Sequence, residues 1–260
     1  MISVITVTRD DEDRLALTIK SLAKYYQLIS FQHIVIHGGK ITEYEKRMIK
    51  HQKKIELVNE VDNGIYDAMN KGIGLCSFEY ILFLNCGDRL IMAPKNLAVI
   101  LKKSNNENII CLPFLHEWPD GSITKKPTYP KKHSLPTSHQ AMLFSKNFIQ
   151  KNLYDTRYKI AADFDLYHKS SFNKIRVVNN CKLFTIVEGL GVASSNSARS
   201  YCEYLVIISK KYGYFFGSAP LLITLLKGLV SIIGNATLSQ RILSKVRFLI
   251  SKKHKLHDTK

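Results

Sequence analysis

Apolar positions recur in two rhythms over the first half of the chain. Ile2 to Thr8 alternates like a strand and predicts a buried one. Asp10 or Asp11 can cap the helix that follows, which carries Leu15, Ile19 and Leu22 on one face. His33–Ile36 and Ile55–Val58 predict two further strands. Between them, Thr42 and Glu45 have the spacing of a capping box at the start of a polar helix. A helix beginning near Gly64 places Ile65, Ala68, Met69 and Gly72 together. Tyr80–Leu84, apolar throughout, predicts a central strand. Pro94 opens a helix through Leu97 and Leu101, and Asn108–Leu112 predicts a fifth strand. Strands alternating with helices predict an α/β fold built on an open, mostly parallel twisted sheet flanked by helices.

The rhythm stops between Pro113 and Pro136, where Pro, Gly, Lys and Thr predict a long connection or hairpin. Order returns at Ala141–Phe144 and with a helix around Asp163–Ser170. From Ser197 the chain reads as helical, apolar and basic. Leu221 to Ile233 is the longest apolar stretch. It falls short of the roughly 20 residues that span a bilayer, and Lys227 interrupts it. The opening residues read as a strand rather than a basic secretory leader.

In an open parallel sheet, ligands bind at the carboxyl ends of the strands. Those ends here run into Thr8–Asp10, His37–Gly39, Asn59–Gly64 and Asn85–Asp88. An acid at the end of a buried central strand needs a partner, water or a cation, so Asp88 points to Mg²⁺ or Mn²⁺ beside a phosphate. Capping the turn after the strand would be its alternative role.

Composition changes the picture in two respects. The 260 residues are 45% hydrophobic and 23% charged, which excludes a disordered chain and leaves room for a sizeable core. The 38 Lys and Arg against 21 Asp and Glu give a net charge of +17, which suits a polyanionic partner: nucleic acid, anionic lipid or a phosphorylated substrate. No helix-turn-helix, RRM or zinc-finger signature supports nucleic acid. The 5 cysteines include no CxxC pair, so reduced thiols are expected.

Glu60-Val-Asp-Asn-Gly-Ile-Tyr-Asp-Ala-Met-Asn-Lys-Gly72, followed by Tyr80-Ile-Leu-Phe-Leu-Asn-Cys-Gly-Asp88, resembles the family 2 glycosyltransferases of bacterial surface-polysaccharide assembly. Ser3–Thr8, Ser138–Gln140, Ile160–Asp165 and Glu188–Ser194 continue the resemblance in order. It implies a GT-A fold over residues 1–195, with a nucleotide-binding half at 1–112 and an acceptor half at 113–195. Residues 196–260 would form a helical, amphipathic, basic C-terminal region.

The resemblance also implies roles. Thr8, Arg9, Glu60 and Asp62 would hold the base and ribose of a nucleotide-sugar, more likely a UDP-sugar, with Asn70 and Lys71 near the donor. His37 stands where relatives often carry an acid that helps read the base. Asp88 would bind the cation, although Cys86 replaces the first of the usual two acids. His139 and Gln140 would line the donor-sugar or acceptor side. Asp163 would be the base of an inverting transfer, and Asp165, about 200° away on a helix, would be structural. The implied acceptor is a lipid-linked diphosphate sugar of O-antigen or other polysaccharide repeat units. Arg241–Lys255 interleaves cations with Ile242, Leu243, Val246, Leu249 and Ile250, as suits an anionic membrane surface. The expected location is the cytoplasmic face of the membrane, peripherally bound. A degenerate sugar-nucleotide-binding protein is the alternative function.

Overall fold

The computed structural model describes residues 2–28, 30–52, 54–104, 106–117, 123–126, 134–179, 181–188 and 197–216. The chain divides into two compact units, residues 1–191 and 192–260.

The first unit opens with β1 (Ile2–Thr8), α1 (Glu12–Leu22), β2 (Phe31–His37), α2 (Glu43–Lys50), β3 (Ile55–Asn59), α3 (Ile65–Leu75) and β4 (Tyr80–Phe83). The helix starts follow local chemistry. Asp11 caps α1 by accepting from the Arg14 amide, and Thr42 and Glu45 form the reciprocal capping box of α2. After β4 come β5 (Arg89–Leu90), α4 (Pro94–Lys102) with its proline in the first turn, and β6 (Ile109–Cys111). Within the stretch expected to be a connection or hairpin, β7 (Phe114–Glu117) pairs antiparallel with β8 (Ile123–Lys126). β9 (Met142–Ser145), α5 (Lys146–Lys151), α6 (Ala162–Lys169), β10 (Ile175–Val177) and β11 (Thr185–Glu188) complete the unit.

The main sheet has the order β10-β6-β9-β4-β1-β2-β3. β1 pairs in parallel with β2 and β4, β2 with β3, and β10 with β6. Among the described residues only β9 runs antiparallel within it, between β4 and β6. The sheet is therefore mostly parallel and flanked by helices. A smaller sheet of order β5-β11-β7-β8 lies beyond the carboxyl end of β4.

Central strands bury both faces. Val4, Leu82, Leu84 and Leu143 pack with Leu22 and Tyr25 on one side. Leu15, Ile19, Val35 and Ile49 form another cluster. Phe83 meets Phe144 and Tyr154 edge to face, at centroid distances of 5.8 and 5.3 Å.

In the second unit, α7 (Ser197–Phe216) is interrupted at Gly213, whose φ is 72°. Among the described residues no helix is long and apolar enough to cross a membrane. The segments Leu221–Ile233 and Arg241–Lys255 lie outside the described residues, as do residues 189–194 of the last resembling block.

Candidate active site

The carboxyl ends of β1, β2 and β3 meet at the Gly38–Gly39 turn. A side chain at Gly38 would place its Cβ 1.8 Å from Asp62 Oδ2, and one at Gly39 would stand 2.3 Å from Asp10 Oδ1. The absence of side chains on this turn lets both carboxylates approach the backbone. Asp62 Oδ1 also accepts from the Gly64 amide at 2.9 Å, and Asp10 Oδ1 from the Lys40 amide at 3.1 Å. Thr8 is buried with its hydroxyl beside the Cys86 thiol, while Arg9 is exposed, 3.8 Å from the Asp10 carboxylate.

His37 takes a different place. Its ring is fully buried, with Nε2 3.2 Å from Glu45 Oε1. Nδ1 accepts from the Gly39 amide at 3.2 Å and faces the Asn59 amide nitrogen at 3.3 Å. Two donors at Nδ1 leave the ring proton on Nε2, toward Glu45. The ring therefore fixes the Gly38–Gly39 turn from beneath.

Glu60 pairs with Lys71 at 3.3 Å, and Lys71 Nζ also donates to the Val61 carbonyl at 2.7 Å. Asn70 is tied to the backbone of Tyr154. Its amide donates to the Tyr154 carbonyl at 2.9 Å, and its oxygen accepts from the Tyr154 amide at 3.0 Å.

The second group of residues surrounds the turn after β4. Gly87 has φ 95°, and the Asp88 amide donates to the Asn85 carbonyl at 3.0 Å. Helix α1 grips this turn. Gly87 N–H donates to the Arg14 carbonyl at 3.2 Å and to Thr18 Oγ1 at 2.9 Å, and that hydroxyl donates to the Asp88 carbonyl at 2.9 Å. The Asp88 carboxylate is 3% exposed. Oδ2 accepts from Gln140 Nε2 at 3.0 Å, and Oδ1 from the Glu188 amide at 3.1 Å. Burial pushes its pKa up to about 6, against the lowering effect of those two hydrogen bonds and of nearby His139.

The Glu188 side chain lies over the same turn, bound to Arg14 at 2.6 Å. A Cβ on Gly87 would come within 2.6 Å of Arg14 Nε and 2.8 Å of Glu188 Oε2. Neither Arg14 nor Glu188 was singled out as a site residue from the sequence. Glu188 did open a resembling block, whereas nothing local marks Arg14.

Asp163 stands in the first turn of α6, where an acid suits the helix dipole. Its Oδ1 accepts from the Phe164 amide at 2.8 Å, and its Oδ2 is 3.6 Å from His139 Nδ1. His139 Nε2 is in turn 3.2 Å from the Asn85 side-chain nitrogen. Asp165 turns away and pairs with Lys169 at 2.9 Å. The consecutive residues His139 and Gln140 thus touch Asp163 and Asp88 respectively. Asn85 and the buried Tyr154, whose pKa is raised by burial and by the Asp163 charge, complete this side.

Among the described residues no three His, Cys, Asp or Glu side chains form a ready cage for a metal. Asp88 alone still fits a hard cation. It is a buried oxygen donor whose charged form is disfavoured, its bonded partners are neutral, and the nearby Glu188 charge raises its pKa further. A cavity of about 700 Å³ opens elsewhere, at the amino end of β4 and β6, lined by Tyr80, Glu107, Asn108, Lys146 and Lys174 among others. It lies at the opposite end of the strands from both acids.

The family described as Glycosyl transferase family 2 matches residues 3–176. Two curated relatives, the uncharacterized glycosyltransferases MT1564 and Rv1514c from two strains of Mycobacterium tuberculosis, are each 28% identical over 176 residues. The match covers 62% of this chain and 65% of each relative, so the chain spans somewhat less than two thirds of their length. S. aureus TarS 1-349 in complex with UDP-GlcNAc superposes with a TM-score of 0.64 at 16% identity, over 87% of this chain and 72% of that one. The mannosyltransferase PcManGT from Pyrobaculum calidifontis, in complex with GDP-Man and Mn²⁺, gives 0.56 at 10% identity, over 100% and 81%. At such identities the likeness is one of fold.

Proposed function

This chain belongs to glycosyl transferase family 2 and shares the GT-A fold of its structural neighbours, and from that premise we propose that it is an inverting hexosyltransferase. Its donor is a nucleotide-diphosphate sugar, with UDP the favoured nucleotide. Its acceptor is a lipid-linked diphosphate sugar of an O-antigen or other polysaccharide repeat unit. The observation that carries the reading is the short path between the two acids: Gln140 bonds Asp88 while the preceding His139 faces Asp163.

On the donor side, Thr8, Arg9, Glu60 and Asp62 surround the base and ribose. His37, held by Glu45, sets the turn on which Asp62 rests. Lys71 braces Glu60, and Asn70 ties this half to Tyr154. Asp88 would hold Mg²⁺ or Mn²⁺, which when bound supplies positive charge for the departing diphosphate.

Asp163 faces the acceptor. Its carboxylate takes the proton of the incoming hydroxyl as that oxygen bonds to the anomeric carbon and the bond to the diphosphate oxygen breaks. A single displacement inverts the anomeric centre. Gln140 and the Glu188 amide keep Asp88 oriented throughout. The net charge of +17 and the basic sequence near the C-terminus support peripheral attachment to an anionic membrane surface on the cytoplasmic side.

Asp163→Asn tests the base. With Mn²⁺ and a panel of UDP-glucose, UDP-galactose and UDP-N-acetylglucosamine, the wild type should release UDP from at least one donor, even with water as acceptor. The variant should lose about 10²–10⁴-fold in that rate. Donor binding by calorimetry should be nearly unchanged. Full turnover in the variant would remove Asp163 from the mechanism.

A further inference from the structure

His139 lies between two groups with different tasks, and its two ring nitrogens face different chemistry. Nε2 is 3.2 Å from the side-chain nitrogen of Asn85. With its NH₂ toward the ring, Asn85 donates to Nε2 and a neutral ring carries its proton on Nδ1, while Asn85 Oδ1 is left buried with no hydrogen-bond partner. Nδ1 is the nitrogen that faces Asp163 Oδ2, at 3.6 Å. The other Asp163 oxygen is already engaged by the Phe164 amide at 2.8 Å.

Asn85 is itself fixed in the turn that carries Asp88. Its carbonyl accepts from the Asp88 amide at 3.0 Å, and Thr18 Oγ1 lies 3.3 Å away. The next residue after His139 bonds Asp88 directly. The turn at residues 139–141 therefore couples the turn after β4 to the first turn of α6, each more than 20 residues away in sequence.

We propose that His139 is a positioning residue for Asp163: a neutral imidazole in the Nδ1–H form, its tautomer dictated by Asn85, that aims the carboxylate at the acceptor hydroxyl. This rests on the reading of Asp163 as base. The Nδ1–H, 3.6 Å from Oδ2, restrains the carboxylate electrostatically while the Phe164 amide holds Oδ1. Because Asn85 belongs to the Asp88 turn, the base is held in register with the group that receives the leaving diphosphate.

Two measurements on the full chain test this. Long-range ¹H–¹⁵N correlation spectra of protein labelled at histidine should show one ring, absent from His139→Asn, with Nδ1 protonated and Nε2 bare at neutral pH. An Nε2–H ring, or an imidazolium, would overturn the proposal. In kinetics, with UDP release from the donor that the wild type consumes, His139→Ala should lower kcat about 10–100-fold, the range typical for residues that orient a reactive group. KM for that donor and the affinity for UDP with Mn²⁺ should stay the same. His139→Asn, whose amide N–H can replace Nδ1–H, should recover most of the loss, and Asn85→Ala should reproduce part of it. An unchanged kcat in His139→Ala, a loss carried by KM, or no recovery in His139→Asn would each overturn it. Inactive Asp163→Asn together with fully active His139→Ala would remove this inference alone, whereas active Asp163→Asn would remove the base assignment on which it stands.

Discussion

Burial holds the Asp88 carboxyl near a pKa of about 6, above the usual 3.8. A carboxyl raised in the folded state contributes stability that is complete below its unfolded pKa and is lost as pH rises through the folded value. Above pH 6 the fold therefore carries a burden of up to about 3 kcal/mol from this one charge. Asp88→Asn should raise the melting temperature by several degrees at pH 7.5, and the gain should shrink toward zero near pH 4. A pH-independent difference would show that the charge is not the cause. The acid itself could be found in the sequence because it follows an uninterrupted apolar strand. Its partners could not: Gln140 and Glu188 reach it across 52 and 100 residues, and no local spacing encodes such contacts. His37 shows the same boundary. Its place at a strand end was clear, but the direction of its ring depends on Glu45, a capping residue that is only 1% exposed.

Helix α1 and the turn after β4 behave as one piece. Arg14 and Thr18 bond the backbone of that turn, and the Arg14–Glu188 pair lies over Gly87. Gly87→Ala introduces both an unfavourable positive φ and a contact under 3 Å with those side chains. We expect it to lose about 1–3 kcal/mol in chemical denaturation and to weaken UDP binding with Mn²⁺. Normal stability and binding would mean that Arg14 and Glu188 move aside freely. Periodicity made β1 to β4 and α1 to α4 readable, since each is long or apolar enough to carry a rhythm. It did not separate β5, β10 and β11, which have only 2, 3 and 4 residues. Strands that short are defined by their neighbours rather than by their own side chains. Capping chemistry fared better, because Thr42 and Glu45 interact within a single turn.

Taken whole, the molecule is strongly cationic, with a net charge of +17. If that charge serves a membrane, the full chain should co-sediment with phosphatidylglycerol vesicles and not with phosphatidylcholine vesicles, and release should follow as salt is raised from about 0.1 to 1 M. Binding to both vesicle types alike would remove the electrostatic account. The α/β class followed from alternating strands and helices, but the path of β9 did not. A lone antiparallel strand between β4 and β6 has no signature beyond four apolar or small residues. Its position imposes an order on synthesis. β4 emerges from the ribosome with one flank bare and gains its second neighbour only when residue 145 has followed. Asp88 waits longer still, until Glu188 arrives to hold it. A growing chain would thus hold β1 to β4 well before either long-range partner of the Asp88 carboxylate, Gln140 or Glu188, had been made.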